Sequence, residues 1–480
     1  MNGNNKKIPT VFVIFGATGD LMARRLVPAL FYLYKKKQLP PLFSVVGFAR
    51  RDFSDQAFRE YVKENAVMNG DHKDPRFAQF LEYFFYSQGT FDTEDDYFKL
   101  ARRIGGIDTE WKVCANKLFY LATPPQHYEV ILRHLHTSKL TEPCSPEEGW
   151  TRVLIEKPFG RDFKEAEKLD ALLNKLFKEI QVYRIDHYLA KEVLQNIMAF
   201  RFANNIFGDI WNDKHIEKIE IKVLEELDVE GRGEFFDKVG ALLDVGQNHM
   251  LQALALVTMA NPVEFASDKI RDARAEILDN VNILNSDEEI KEQTVRAQYK
   301  GYQSEKGVDP NSATETYFEL KTHIDLPQWK KTEVYLEAGK RAGRVDKQII
   351  VTFRHPMPCL CPKDSPEHLK NKIYFRIQPK PCIDVLFYSK QPGTKIDLEP
   401  KMLEFKYEGD FSKQYLVEYA NLLLDAFVGD QTSFVSSKEA MAGWKFIDPI
   451  VTAWRKGVNE MYYYDGYEDV LKLTGKLEQK

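Results

Sequence analysis

The stretch Thr10–Met22, TVFVIFGATGDLM, decides the fold. After Thr10 its opening run is wholly apolar and rich in aromatic and β-branched side chains, the pattern of a strand buried on both faces. The glycine turn Gly16-Ala17-Thr18-Gly19-Asp20 follows without a spacer, and the helical pattern Leu21–Lys37 follows the turn. A strand, a glycine turn and a helix start aim backbone N–H groups and the positive helix end at one point, the geometry that holds a pyrophosphate. Gly16 makes the turn and Gly19 permits close approach. The spacing is G-x-x-G rather than the fuller G-x-G-x-x-G, and glycine-rich turns also close strands for structural reasons alone. Its place after the first strand of a βαβ unit favours the dinucleotide reading.

Outward from this unit, Phe43–Phe48, Leu118–Ala122, Val153–Glu156 and Gln181–Ile185 read as further buried parallel strands, with helical stretches such as Phe163–Phe177 between them. That alternation predicts a doubly wound, Rossmann-type α/β sheet over residues 1–186. After Ile185 the rhythm changes. Lys191–Phe202, Gly240–Met259 and Gln414–Val428 carry helical patterns. Period-two runs occupy Thr316–His323, Thr332–Leu336, Gln348–Thr352, Lys372–Ile377 and Ile383–Phe387. Residues 187–480 therefore read as an α+β domain, a large, mainly antiparallel sheet flanked by helices. Asp309–Thr316 reads as a surface loop and Pro356–Pro366 as an irregular stretch.

Composition bounds the rest. The 480 residues are too many for one small core, and 44% apolar with 29% charged is ordinary for a globular chain. The 67 basic and 72 acidic residues leave a net charge of −5, no field to attract nucleic acid or anionic lipid. No run approaches the ~18 apolar residues of a membrane span. The polar Met1–Pro9 followed by Val11–Phe15 lacks the core of a signal peptide. The five cysteines are odd in number and scattered, which argues against a disulfide scaffold. Cys359 and Cys361 lack a second pair or a histidine at zinc spacing, so no metal site is expected. The expectation is a reduced, soluble, cytoplasmic protein.

Several residues carry candidate chemistry. The second strand ends Gly47-Phe48-Ala49-Arg50-Arg51 with no carboxylate before Asp52. An acidic residue there would hold a ribose 2′-hydroxyl, whereas Arg50 or Arg51 suits the 2′-phosphate of NADP. Lys157, in Glu156-Lys157-Pro158-Phe159-Gly160, lies at the ligand-binding carboxyl edge of the sheet and is a candidate for a substrate or cofactor contact, with a solvated loop lysine the alternative. A cis bond at Pro158 would fix that turn. In Arg184–Glu192, RIDHYLAKE, a helix starting near Asp186 would put His187 and Lys191 on one face, one turn apart, which suits a phosphate monoester, with an ordinary surface pair the alternative. Tyr188 adds a hydroxyl, and Asp186 could cap the helix or accept from a distant histidine. Asp244, Gln247, Asn248, His249 and Gln252 interrupt the apolar Gly240–Met259 pattern and so are expected to line a pocket. His249 is a candidate general base, with a satisfied core histidine the alternative. His127, His134 and His136 lie on an ordinary helical pattern. Lys340 and Gln378 say nothing individually.

Taken together, GATGDL, GFAR, LATPP, EKPFG, RIDHYLAKE, the LQNIMAFRFANNIFGDIWN stretch, EGRGEFFDKVGALLDVGQNHMLQALAL, GK and IQP resemble the glucose-6-phosphate dehydrogenases over nearly the whole chain. The resemblance implies oxidation of β-D-glucose 6-phosphate at C1 to 6-phospho-D-glucono-1,5-lactone with hydride transfer to NADP, the first step of the oxidative pentose phosphate pathway. It implies that His249 is the catalytic base and Asp186 the carboxylate that orients it. By the same resemblance His187, Tyr188 and Lys191 hold the 6-phosphate, and Lys157, Glu225, Asp244, Lys340 and Gln378 meet the sugar. Gly16, Thr18, Gly19, Asp20, Leu21, Arg50, Pro124 and Lys157 would contact NADP. No metal is implied, and a homodimer or homotetramer formed through the antiparallel sheet is expected. The sequence departs from the family pattern in three places: Met22 replaces an alanine, Arg25 a lysine, and Val345 the basic residue five positions after Lys340. Arg344 could take over the role at Val345. Oxidoreductases of free sugars or inositol share the EKP segment but would not need RIDHYLAKE. A nucleotide sensor without chemistry would lack His249 or Asp186, and both are present.

Overall fold

The computed structural model of the chain describes residues 9–68, 70–144, 148–358, 360, 369–407 and 414–477. Met1–Ile8, Cys359, Cys361 and most of Pro356–Pro366 lie outside them. The chain divides into two compact units. One comprises Met1–Ala190, Ala266–Asp268 and Ser412–Ser437; the other comprises Lys191–Phe265, Lys269–Phe411 and Lys438–Lys480.

In the first unit, β1 (Thr10–Phe15), β2 (Phe43–Ala49), β3 (Phe84–Gln88), β4 (Asn116–Leu121), β5 (Thr151–Glu156) and β6 (Val182–Ile185) form a parallel sheet in the order β3-β2-β1-β4-β5-β6. This is the doubly wound order, and its direction reverses between β1 and β4. β1, β2 and β4 are buried along their whole length, which is why they read as unbroken apolar runs. β3 was not expected; its five residues, FFYSQ, are too short and mixed for a periodic signal.

A distant segment completes this unit. The short strand Phe434–Val435 pairs antiparallel with β6. The helix Gln414–Val428 supplies Leu422, Leu423, Ala426 and Phe427 to the core that also holds Phe12 and Phe43. Phe427 meets both phenylalanines edge-on, at centroid distances of 5.9 and 5.6 Å. Gly429, with φ +88°, ends the helix in the left-handed conformation that favours glycine. Arg152 donates to the carbonyls of Ala426 and Phe427 at 2.6 and 3.0 Å, closing the last turn. The sequence reading assigned Gln414–Val428 to residues 187–480, because nothing in its own pattern reveals which sheet it covers.

Cys114 and Cys144, 30 residues apart, are joined where the chain enters β4 and approaches β5, with their Cα atoms 6.4 Å apart. A reduced chain was expected; scattered spacing does not show which loop ends meet. Cys382 is free.

The second unit is built on a sheet of β7 (Ile216–Leu224), β8 (Thr294–Tyr299), β9 (Tyr317–Thr322), β10 (Glu333–Gly339), β11 (Asp346–Phe353), β12 (Lys372–Gln378), β13 (Cys382–Lys390) and β14 (Leu398–Lys406), in the order β14-β13-β12-β11-β7-β10-β9-β8. A short strand, Met461–Tyr464, adds to β8. Pairing is antiparallel except β7 with β10 and Met461–Tyr464 with β8. Ile219, Ile221 and Val223 of β7 are buried on one face, while Lys218, Glu220 and Lys222 form ion pairs on the other, including Lys222 with Glu337 at 3.0 Å. The helix Leu251–Thr258 has its final carbonyls bound by buried donors. Arg201 donates to Leu256 and Met259, Trp211 to Val257, and Trp329 to Thr258, at 2.7–2.9 Å.

Candidate active site

In the first unit, Gly16 leaves β1 with φ +82°, and a Cβ there would collide with the Ala122 carbonyl oxygen. The turn is pinned by bonds from the Gly16 and Ala17 amides to the Phe48 carbonyl, at 3.0 and 3.4 Å, and from the Gly19 amide to the Gly16 carbonyl, at 2.9 Å. Tyr61 donates to the Thr18 carbonyl at 3.0 Å. Gly19 and Asp20 are exposed and Leu21 half-buried, while Met22 is packed in the core and opens a wide helical turn, Met22–Leu26, ahead of the regular helix Val27–Lys35. A large side chain at 22 is thus accommodated without displacing the turn.

Arg50 and Arg51 follow β2 immediately and both are exposed. The Arg51 guanidinium lies 5.1 Å from the Tyr61 ring centroid. Pro124 is exposed just past β4. Lys157 follows β5, and its bond to Pro158 is cis. The preceding Glu156 is the interior end of this segment: its carboxylate accepts from Tyr120 at 2.5 Å and Tyr419 at 3.2 Å, and its carbonyl from Tyr128 at 3.0 Å. Burial holds the Glu156 carboxyl above the usual range despite those donors.

Asp186 is 1% exposed, and its carboxylate accepts from the Tyr188 amide at 3.0 Å. The expected cap is therefore real, but it closes a 3-10 turn, His187–Ala190, rather than an α-helix. Lys191 is the N-cap of the separate helix Glu192–Phe202. The expectation of His187 and Lys191 on one α-helical face is thus corrected: the chain breaks between them. His187 is half-buried and stacks edge-on to Tyr188 at 5.3 Å, and Lys191 is 1% exposed.

In the second unit the helical pattern around His249 is a π-helix, Leu242–Met250, continued by Leu251–Thr258. Its start is set by Gly240, φ +76°, and by Glu315, whose carboxylate accepts from the Leu242 amide at 3.0 Å and whose carbonyl accepts from the Ala241 amide at 3.1 Å. Asp309–Thr316 was expected to lie on the surface. Its end is buried instead, because Glu315 satisfies those helix amides and Thr316 bonds to Tyr299. Burial raises Glu315 to about 7. Gln247, Asn248, His249 and Gln252 are all buried, and the Asn248 carboxamide accepts from the His249 amide at 2.7 Å.

β7 and β10 are parallel, so their carboxyl ends lie side by side. The Glu225 amide donates to Gly339 and the Ala342 amide to Glu225, both at 2.8 Å. This places the Lys340 ammonium 2.7 Å from Glu225 Oε2 and 3.6 Å from Asp244. A third strand contributes a residue the sequence reading missed: Lys347, at the start of β11, lies 2.7 Å from Glu225 Oε1. Burial alone would raise Glu225; Lys347 and Lys340 outweigh it and hold the carboxyl at about 2. Gln378 is the Cα partner of Lys347 across a register shift in the β11–β12 ladder, with Ile377 the extra residue. Arg344, one position before Val345, is engaged locally. It pairs with Asp346 at 3.0 Å and stacks on Tyr467 at 3.9 Å, half exposed.

Comparison with known proteins places this geometry. Residues 13–196 match the family model for the glucose-6-phosphate dehydrogenase NAD binding domain, and residues 198–472 match the model for the C-terminal domain. The chain belongs to the glucose-6-phosphate dehydrogenase family. It is 38% identical to the glucose-6-phosphate 1-dehydrogenase of Chlamydia muridarum over 93% of this chain and 91% of that one. For the enzyme of Borreliella burgdorferi the figures are 37%, 97% and 96%. Among solved structures, a glucose-6-phosphate dehydrogenase in complex with its substrate glucose-6-phosphate superposes with a TM-score of 0.86 at 30% identity, covering 97% of this chain and 96% of that one. The enzyme of Mycobacterium avium gives 0.82 at 29%, covering 96% and 95%. The parallel domain and the mainly antiparallel sheet expected from the sequence are those of this family. Lys347 and Glu315 carried no motif signal; only β7–β10–β11 adjacency and the depth of the Glu315 loop reveal them.

Proposed function

We propose that this chain is an NADP-dependent glucose-6-phosphate 1-dehydrogenase that oxidises β-D-glucose 6-phosphate at C1 to the 6-phospho-lactone. The observation that carries the reading is the family match along both halves of the chain, together with the Glu225–Lys340–Asp244 cluster at the ends of two parallel strands.

The first unit fits the cofactor. The Gly16 turn has no room for a Cβ, so backbone can approach a pyrophosphate, and exposed Arg50 suits the 2′-phosphate. Gly16, Thr18, Gly19, Asp20, Leu21, Arg50, Pro124 and Lys157 are the proposed contacts, within residues 1–186. NADP, when bound, accepts the hydride from C1. His249 removes the 1-hydroxyl proton, and Asp186 is the carboxylate that fixes its tautomer and stabilises the cation formed. His187, Tyr188 and Lys191 bind the 6-phosphate. Lys157, Glu225, Asp244, Lys340 and Gln378 bind the sugar. Charged and half-buried, Glu225 accepts hydrogen bonds from sugar hydroxyls without needing to titrate near neutral pH. Residues 187–480 are the proposed substrate-binding domain and, through the large sheet, pair into a homodimer or homotetramer. The protein acts in the cytoplasm.

The test is nicotinamide reduction with glucose 6-phosphate and with free glucose, each with NADP and NAD. Reduction only with the phosphorylated sugar, faster with NADP, is expected. Equal turnover of free glucose would refute the phosphate roles, and no reduction from folded protein would refute the activity.

A further inference from the structure

Glu225 is held by two ammonium groups, and the second has no assigned role. Lys347 reaches it from β11, which runs antiparallel beside β7, so that Asp346 faces Leu224 and the Lys347 side chain meets the residue just beyond the end of β7. Each carboxylate oxygen has its own cation at 2.7 Å: Lys340 on Oε2 and Lys347 on Oε1. One cation would let the carboxylate rotate about its terminal bond and choose which oxygen to present; two fix both oxygens. The remaining lone pairs then point in set directions, and a carboxylate offers about four acceptor sites in all. With Asp244 near Lys340, the cluster holds two cations and two anions, so the second lysine also balances charge in a place where an unpaired ion is costly. Lys347 is 8% exposed, and a buried lysine is rare without such a partner. Its Cα partner is Gln378, brought opposite by the extra residue Ile377.

We propose that Lys347 is a positioning residue for sugar binding: it locks the Glu225 carboxylate in the orientation that accepts the hydroxyls of glucose 6-phosphate. This rests on the activity proposed above. The role predicts an effect on the sugar and none on the nucleotide, which Lys347 does not approach through any residue proposed to bind it.

The experiment measures initial rates for the full-length parent, Lys347→Met and Lys347→Arg, varying glucose 6-phosphate and NADP separately, with folding checked by circular dichroism and melting. In Lys347→Met the KM for glucose 6-phosphate should rise about 10- to 100-fold with kcat changed less than about fivefold, the pattern of lost ground-state binding. The KM for NADP should stay within about twofold. Lys347→Arg keeps the charge and should recover the sugar KM to within about fivefold of the parent. A sugar KM within twofold of the parent in folded Lys347→Met, an equal rise for NADP, or no recovery in Lys347→Arg would each overturn the proposal. Should Lys347→Met fail to fold, Lys347→Gln is judged by the same criteria, and failure of both assigns Lys347 to stability alone and overturns it. A parent inactive with glucose 6-phosphate would instead refute the activity itself.

Discussion

Replacing Glu315 by Gln should make the second unit more stable at pH 8 and leave it nearly unchanged at pH 5. Glu315 is buried against the start of the π-helix that carries His249, and burial raises its carboxyl from 4.5 to about 7. An acid whose pKa is higher in the folded state favours folding below its unfolded pKa. Between 4.5 and 7 the unfolded chain releases the proton while the folded chain keeps it, so that contribution is lost as pH rises and is gone above about 7. The gap corresponds to about 3 kcal/mol. Glutamine keeps an oxygen to accept from the Leu242 amide but carries no titrating proton. At roughly 2–4 °C per kcal/mol for a unit of this size, the melting temperature of Glu315→Gln should exceed that of the parent by about 5–10 °C at pH 8, the two converging near pH 5. The assay is differential scanning calorimetry of both proteins at half-unit intervals from pH 5 to 8. Parallel curves would refute the reasoning, because they would mean that Glu315 ionises in the folded protein at no cost.

Three further outcomes are expected. Phe427→Ala should remove the two edge-on contacts to Phe12 and Phe43 and destabilise the first unit by about 3–5 kcal/mol, read as a melting fall of about 6–20 °C with a matching loss of NADP-induced stabilisation. A fall below about 2 °C would mean that the helix does not complete that core. Arg50→Ala should raise the KM for NADP about 10- to 100-fold and leave that for NAD within about threefold, while Arg51→Ala should do much less, because Arg51 is engaged with Tyr61. His249→Asn should depress kcat by ~10²–10⁴ and Lys191→Ala should chiefly raise the KM for glucose 6-phosphate. Equal effects of both changes on both parameters would contradict that division.

What the sequence could reveal depended on whether a structural requirement leaves a local pattern. β1, β2, β4 and β5 are buried on both faces and so appear as apolar runs. β7, Ile216–Leu224, alternates isoleucine with lysine and glutamate and is a strand by period, yet a reading by apolar runs passes over it. β14 is exposed along most of its length, so no burial pattern marks it. The π-helix keeps a helical appearance in sequence because its wider turn is set by tertiary contacts, Glu315 and Gly240 among them. The spacing of His187 and Lys191 misled because i, i+4 implies a shared face only within one continuous α-helix. The glycine turn was legible because it stands directly between an apolar strand run and a helical pattern, and Gly16 there takes a positive φ. Lys347 was not, since it belongs to the site through its neighbour strand rather than through any spacing from Lys340.

The segment that completes the first unit also sets an order of events at the ribosome. Gln431 bonds the carbonyls of Glu179 and Val182, the former across 252 residues. At about 5–20 residues per second, translation needs roughly 10–50 s to travel that distance. For that interval β6 has no edge partner, and the apolar floor around Phe12 and Phe43 has no cover from the helix Gln414–Val428. The nascent chain thus spends most of its synthesis with a nucleotide fold that is threaded but not closed. In that period a holding chaperone finds an apolar surface and an open strand edge, and a message truncated before residue 414 yields a chain that cannot bury either.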